Sequence, residues 1–528
     1  MKPSKFYISI IFIIFIIPLC NGQDWPKIYG DYFDSYVNNV IEDYDLGYLL
    51  GGSVLANPNT FKYAWIIKVD INGNELWNKK FGDGNLQYYL NDFKKDESQG
   101  VIICGATTLE DSWFDPLFLK LNACYEPEWC NILLSEGYNV AGDIISVYDG
   151  YIGLLTHYGE DSLYSNISLI KLNLQGEPIW IQSLAQEDTL INNEEGRYLY
   201  LTNDSNYLIS GEAYHPGYHP FWILTDTLGI QKWDLFWNSL VGQAHQLVEK
   251  DTGTIYSTCW GIAPGMPQSP VLLKFDLYGN PIDMYYLMGD SIGAGSASPI
   301  AVYSDSSLII GVAWETNSYP VQGYSEVFLT DTLGNIYNRR ILLNDFKNAK
   351  RVIKTLENKI IVTGNYVVDD NWDIYLWKMN ANLEDDTLYT QPLTYDSLCP
   401  YEIQSDTVDL DCDLFVNIDE LPTKEEYEST VKISPNPARD WVALTLPDVV
   451  AAGKVEVVVY DVFGREVGKG RKGDGENGRR GEEGKGGSRD VPVNRMVVMD
   501  VSGYPPGMYV VVVTDQKGRR YSGKMIVR

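Results

Sequence analysis

Histidine is almost missing: the chain has four in 528 residues. Catalysis or metal binding built on imidazole therefore has little to work with. His215 and His219, in Y-H-P-G-Y-H-P-F-W, are four residues apart, the spacing of two ligands on one helix face. Pro216, Gly217 and Pro220 exclude that helix, and both side chains are expected in a solvent-facing loop. Basic residues are also scarce, with 41 Lys and Arg against 71 Asp and Glu and a formal charge of -30. That balance disfavours nucleic acid, whose phosphates need Lys and Arg, and no such partner is expected. Past Leu19 no apolar stretch is long enough to span a bilayer. The motifs of several chemistries are missing as well: no G-x-S-x-G elbow, no Gly-rich phosphate loop with its Lys, no Cys/His signature pair. Asp70-Ile71-Asn72-Gly73-Asn74 starts like a calcium loop but lacks the distal Glu, and turn chemistry accounts for it. No metal, cofactor or locally encoded catalytic residue is expected.

The seven cysteines are few for a chain of this length. Cys124 and Cys130 flank a short turn, and Cys399 and Cys412 bracket a short segment. Each pair is expected to close a small loop. Cys104 and Cys259 fall in expected strands and read as buried free thiols. At the start, M-K-P-S-K, an apolar run from Phe6 to Leu19 and Cys20-Asn21-Gly22 have the form of a signal peptide over residues 1–22.

What is abundant is aromatic and apolar: 13% aromatic, 38 of them Tyr, and 45% hydrophobic. That composition suits a large β-rich protein. Its pattern repeats. The hairpin Tyr48 to Gly82 reads Y-L-L-G-G-S, a loop, A-W-I-I-K-V-D, the turn I-N-G-N and E-L-W-N-K-K-F-G. Counterparts of its central position stand at Lys68, Lys120, Lys171, Thr225, Lys274, Thr330 and Lys378, about fifty residues apart. Four strands per repeat at that period is the arithmetic of a propeller blade, and seven anchors imply seven blades over residues 23–395. The glycines Gly52, Gly105, Gly153, Gly211, Gly261, Gly311 and Gly364 are expected where blades converge. Trp77, Trp129, Trp180 and Trp233 are expected to pack between blades. Trp25-Pro26-Lys27-Ile28-Tyr29-Gly30 matches a fourth strand with no first three before it. It is expected to complete the last blade; the alternative is that Leu388 to Thr390 does so.

The repeats resemble a family of secreted bacterial propeller proteins, best at Leu46 to Gly52 and Trp77 to Gly82. After Tyr395 the pattern changes. Residues 396–430 read as an acidic linker, and from Val431 alternating strands between Gly and Pro turns predict a small β-sandwich. Pro435-Asn436-Pro437-Ala438, Tyr460 to Arg465 with Asp461 and Gly464, Gly507-Met508-Tyr509 and the terminal Lys524 to Arg528 resemble the C-terminal sorting domain, type A-like, of proteins exported by the type IX secretion system. The resemblance implies an Ig-like sandwich over 431–528, recognition by that secretion machinery, and a product released outside the outer membrane or held on the surface. Gly468 to Arg489, rich in Gly and charge, departs from that family and is expected to be disordered. The expected architecture is all-β, a seven-bladed propeller followed by a small Ig-like sandwich, and a monomer.

Function is less legible. The longer loops past each second strand carry Trp113, Tyr158, Tyr214, Trp260, Trp314 and Tyr366, aromatics suited to stacking on sugar or peptide, or to packing between blades. The leading expectation is a non-catalytic binder of an extracellular glycan, peptide or protein. The alternative is a hydrolase or lyase acting on polysaccharide, since paired carboxylates from distant blades leave no local motif.

Overall fold

The computed structural model describes residues 25–528 apart from 57–61, 85, 110–112, 135–136, 159–164, 185–191, 215–216, 238–239, 251–252, 263–267, 288–293, 316–322, 344–348, 369–370, 416–430, 447–454, 462–464, 472–495 and 515–519. The chain divides into two compact units: residues 1–85, 256–274 and 283–408, and residues 86–255, 275–282 and 409–528. Up to residue 379 both are built from one motif, an antiparallel meander of consecutive strands, four in most copies, which is the construction of a β-propeller.

In the first unit, Ser35–Glu42, Tyr48–Leu55, Lys62–Val69 and Glu75–Phe81 form the template repeat. Its second and third strands are buried along most of their length, which is why Y-L-L-G-G-S and W-I-I-K-V read as continuous apolar runs. The fourth alternates, turning Trp77, Lys79 and Phe81 inward. The same unit holds the meander Ala294–Ser304, Ser307–Glu315, Gly323–Asp331 and Ile336–Leu343, and the three strands Ala349–Lys354, Ile360–Val368 and Asn371–Met379. The second unit repeats the motif from Tyr88 to Leu133, from Tyr138 to Leu184 and from Asn192 to Phe236. The strands Val241–Lys250, Thr254–Ile262, Ser269–Asp276 and Pro281–Tyr286 carry the same pattern.

The three-strand repeat is completed from the other end of the chain. Lys27–Tyr29 pairs antiparallel with Asn371–Met379, placing Ile28 opposite Tyr375. Leu388 to Thr390 forms no strand.

Neighbouring repeats are joined by a recurring device. The Asp or Asn that opens the third-to-fourth turn accepts backbone N–H groups two and four residues on, as Asp70 does from Asn72 (2.8 Å) and Asn74 (2.7 Å). That leaves a positive-φ glycine at the tip, and the fourth-strand aromatic of the preceding repeat lies on it. A Cβ at Gly176 would sit 2.5 Å from the Trp129 ring and one at Gly279 2.8 Å from Trp233; Trp180 and Tyr285 cover Gly229 and Gly334 in the same way. Trp25 takes this position over Gly73, and Tyr29 donates from its hydroxyl to Gly73 O at 2.7 Å. The packing expected of Trp129, Trp180 and Trp233 between repeats is thus observed, and Trp77 donates from its indole to Asp396 Oδ2 at 2.8 Å.

The second-strand glycines answer to more than neighbouring repeats. At Gly52, Gly105 and Gly211 a Cβ would meet a carbonyl oxygen of the same repeat's first strand, at 1.8, 1.7 and 2.1 Å. Each lies where that strand bulges, at Val37/Asn39, Leu90/Asp92 and Gly196/Tyr198. Gly153 is instead pressed by Phe118 of the adjacent repeat, and Gly311 both by Pro299 of its own repeat's first strand and by Ala349 of the next repeat.

The segment after the last repeat is more than a linker. Asp406–Val408 pairs in parallel with Glu75–Phe81 in the first unit, and Asp413–Phe415 pairs in parallel with Pro127–Leu133 in the second. Each covers an outer sheet edge that the sequence left open. This pairing also corrects the expected disulfides: Cys130 is joined to Cys412, 282 residues away, and not to Cys124. Cys412 precedes the strand laid beside Asn131 to Leu133, so strand pairing sets the partner rather than closeness in sequence. Cys124 and Cys399 are also disulfide-bonded, while Cys104 and Cys259 are buried and free. Reduction, or Cys130→Ser with Cys412→Ser, is expected to destabilise the second unit by about 2–5 kcal/mol, because the bond closes a long loop. A denaturant midpoint unchanged by the double substitution would contradict this.

At the C-terminus, Lys432–Ser434, Trp441–Thr445 and Met496–Asp500 form one sheet, and Glu466–Arg471, Glu456–Asp461, Gly507–Thr514 and Arg520–Val527 another. Residues of both share a core that includes Val442, Leu444, Val459, Val511 and Met525. Gly468 to Arg471, expected to be disordered, pair with Glu456 to Val459, since edge pairing uses backbone groups that glycine also has. The remainder of the Gly/charge-rich stretch lies outside the described residues.

Candidate functional site

A polar cluster in the second unit grows from the bulge in Asn192–Leu201. Glu195 stands opposite Glu212, Gly196 opposite Gly211, and Arg197 is the extra residue before the register resumes at Tyr198. The guanidinium Nη2 of Arg197 donates to Glu212 Oε1 at 2.7 Å and to Glu195 Oε2 at 3.2 Å. Glu212 is buried, whereas Glu195 and Arg197 are about one-third exposed. The second oxygen of Glu212 has no hydrogen-bond partner in the structure. Burial pushes the Glu212 carboxyl up to about 7 against the pull of Arg197, and Glu195 adds to the rise. Chemically this is a carboxyl that holds its proton near neutrality beside a more exposed carboxylate, with one cation between them.

Aromatic residues of the two preceding repeats lie alongside. Tyr138 faces Tyr158 at the ends of paired strands, with ring centroids 5.1 Å apart and edge-on. Phe114 meets Tyr138 at 4.9 Å and Tyr89 at 5.1 Å. Burial, then the charge of Glu195, raises the Tyr138 and Tyr158 phenols, which keeps both hydroxyls protonated as donors. Two residues past Glu212, Tyr214 is 44% exposed and packs edge-on against Tyr218, itself 46% exposed. Trp113, 41% exposed, precedes Phe114.

Of the six aromatics singled out by sequence, Trp113, Tyr158 and Tyr214 lie in this unit, on the repeats that build the cluster. Trp260, Trp314 and Tyr366 belong to the first unit. Trp260 and Tyr366 are partly buried. Trp314 is fully buried, donates to Glu326 Oε2 at 3.0 Å and presses on Gly295, so it is core and offers no stacking face. His219, expected in a solvent-facing loop, is a buried residue of the strand Tyr218–Thr225 with Nδ1 3.0 Å from Leu240 O; His215 lies outside the described residues. The first unit has its own polar cluster, in which Asp34 accepts from Tyr36 OH (3.1 Å) and Trp372 N (2.9 Å).

Glu195, Arg197 and Glu212 belong to no local motif. A signal existed in the repeat alignment. The residue after the second-strand glycine is Ser53, Ala106, Leu154, Ile262, Val312 or Asn365 elsewhere, and only here is it an acid.

Asp43, Asp45 and Asp396 in the first unit are close enough together to hold a metal ion. Lys68 Nζ already lies among them. It is paired with Asp43, lies 2.8 Å from Asp45 Oδ1 and is 3.8 Å from Asp396 Oδ1, so the cation of this cluster belongs to the chain itself. Of the sorting-motif residues, Asn436 bridges the last strand, donating to Lys524 O (3.0 Å) and accepting from Ile526 N (2.8 Å). Asp461 accepts from Arg465 N at 3.0 Å, and Tyr509 OH donates to Pro505 O at 2.6 Å. Pro435, Pro437 and Gly507 are described and exposed, and Gly464 lies outside the described residues.

The raised Glu212 carboxyl has a signed consequence. The folded state holds this proton more tightly than the unfolded chain, so the stability it contributes is complete below the ordinary Glu value of 4.5 and is lost as pH rises toward about 7. Buried Asp143, which burial also pushes up to about 7, acts in the same direction. Glu212→Gln is expected to flatten part of the stability decline between these pH values. A pH–stability profile unchanged by the substitution would contradict the assignment.

The chain matches no protein-family model and no curated protein. Among solved structures it is similar to a polysaccharide lyase of family PL25, an ulvan lyase (9% identity, TM-score 0.45, 66% of this chain and 95% of that one). It is also similar to the GH93 alpha-L-arabinofuranosidase of Fusarium graminearum (9%, TM-score 0.36, 66% and 95%). A third is a protein of unknown function from Bacteroides caccae (11%, TM-score 0.32, 48% and 82%).

Proposed function

We propose that this chain is an exported propeller of seven blades that binds an extracellular glycan on its second unit. The observation that carries the reading is the aromatic row Tyr89, Phe114, Tyr138 and Tyr158 beside Glu195, Arg197 and Glu212. Rings supply apolar faces for a sugar, while carboxylates, phenols and a guanidinium supply the convergent hydrogen bonds that orient it. Peptide and protein ligands are the other occupants of such a surface. A glycan array probed with the mature chain tests the reading. Retention of at least one glycan, lost on Tyr158→Ala, is the expected result, and an array without any retained glycan overturns it.

One observation favours a second reading, polysaccharide cleavage. Glu212 keeps a proton near neutrality next to Glu195, the division of roles that acid–base cleavage requires. Turnover of the retained polymer, abolished by Glu212→Gln, would establish that reading in place of pure binding.

Delivery is proposed to run through residues 431–528, acting as a type IX sorting signal on an Ig-like sandwich. Support comes from the order of the motifs and from Asn436, which ties the terminal strand to the P-N-P segment. Deleting Val431 to Arg528 is expected to abolish release into the medium while the chain accumulates in the cell. Unchanged secretion of the truncated chain would refute the assignment.

A further inference from the structure

We infer that the second-unit site takes neutral, hydroxyl-rich glycans and rejects polymers carrying uronate or sulfate. The inference rests on the glycan-binding reading and narrows it.

The argument begins with the cation. A protein that selects acidic polysaccharide needs a site with net positive charge, because a carboxylate or sulfate must recover the hydration it gives up on binding. In this cluster the one guanidinium is flanked on a single nitrogen by two carboxylates, Glu212 Oε1 at 2.7 Å and Glu195 Oε2 at 3.2 Å. With both carboxylates ionised the trio carries one negative charge; with one proton shared it is neutral. No ionisation state reachable near neutral pH leaves it positive. Lys94, on a neighbouring repeat, is likewise engaged, paired with Asp92 and 2.9 Å from Asp143 Oδ1. The charge of the whole chain, -30, repels a polyanion before it arrives.

What the site does offer suits hydroxyl groups. Glu195 presents acceptors at about one-third exposure. The phenols of Tyr138 and Tyr158 stay protonated beside Glu195, so they donate. A sugar hydroxyl both donates and accepts and pairs with such a mixture; the carboxylate of a uronate only accepts, and would face Glu195 and Glu212.

Affinity electrophoresis of the full mature chain provides the test, in gels containing a neutral β-glucan, xylan or arabinan in one series and alginate, polygalacturonate or carrageenan in the other. Retardation by at least one neutral polymer, and by none of the acidic ones at equal mass concentration, is expected. Glu195→Gln, which removes one exposed negative charge and keeps the shape, is expected to weaken retardation by the neutral polymer, because Glu195 supplies acceptors there, and to bring in measurable retardation by polygalacturonate. Retardation of the native chain by acidic polymers equal to or greater than by neutral ones overturns the selectivity while leaving glycan binding intact. Retardation of the variant by neutral polymers alone, as for the native chain, overturns the part assigned to Glu195. Retardation by no polymer overturns the binding reading itself, and the selectivity with it.

Discussion

Lys68→Met should cost the first unit about 3–5 kcal/mol, the loss found when one partner is removed from a buried ion pair. Lys68 is fully buried, and its ammonium is held by Asp43 and by both oxygens of Asp45, at 2.8 and 2.9 Å. Both carboxylates are buried as well. Methionine keeps the volume and removes the charge, so two carboxylates would face each other in a dry site with no counter-ion. Lys80 gives the contrast on the same template repeat. It pairs with Asp31 at a half-exposed position, where such pairs contribute at most about 1 kcal/mol. Denaturant midpoints followed by tryptophan fluorescence decide the matter. Equal shifts for Lys68→Met and Lys80→Met would remove Lys68 from its structural role. Adding Asp43→Asn and Asp45→Asn to Lys68→Met should recover part of the loss, because the unpaired charges go with the pair.

Lys68 also marks where the sequence became hard to read. Its recurrence at Lys120, Lys171 and Lys378 was visible and set the repeat, since an element used many times imprints one pattern many times. Its burial was not visible, because a lysine in a strand ordinarily faces water. The fold shows each of these side chains bonded to an acid, Lys120 to Asp96, Lys171 to Asp149 and Lys378 to Asp386, drawn from loops whose sequences otherwise differ. The strands at Asp406–Val408 and Asp413–Phe415 were missed for a related reason. They are three residues long and pair in parallel with distant partners, so no turn residue or alternation announces them. The cysteine pairing followed from those strands and was out of reach with them. For the candidate site, sequence supplied aromatics at strand ends, three of which lie on the repeats that build the acidic cluster, and of these Tyr158 feels the charges of Glu195, Arg197 and Glu212. Glu195 and Glu212 were missed because the contact between them depends on a register and a bulge that only the paired strands define. The turns at Asp70 and its equivalents, by contrast, were legible in full, since their chemistry is contained in five consecutive residues.

Trp25→Ala is expected to destabilise the first unit by about 3–5 kcal/mol, the range for truncating a buried large aromatic. Trp25 lies outside every complete repeat in sequence, yet it is 6% exposed and belongs to the core cluster that contains Leu50, Ile67, Ile361 and Tyr375. Its ring covers Gly73 at the tip of the first repeat's turn, and the strand that follows it supplies the outer edge of Asn371–Met379. Truncation opens a cavity at that turn and loosens the three-residue pairing that covers this edge from Ile374 to Leu376, beside the single bridge from Met379 to Asp385. Two readouts separate this from a general loss of packing. Amide exchange should quicken first in Lys27 to Tyr29 and at their partners Ile374 to Leu376, before the central strands Tyr48–Leu55 and Lys62–Val69 respond. Leu388→Ala, at a half-exposed position in the segment that was the alternative outer strand, should cost no more than about 0.5 kcal/mol. If Leu388→Ala were the more damaging of the two, or exchange quickened uniformly, the strand at Lys27 would not be what completes the last repeat. The matching substitution Gly73→Ala should mimic Trp25→Ala, since its new Cβ would fall 2.9 Å from the same ring on a backbone already at positive φ. Combining the two should cost less than their sum, because the methyl would then occupy space the indole had left.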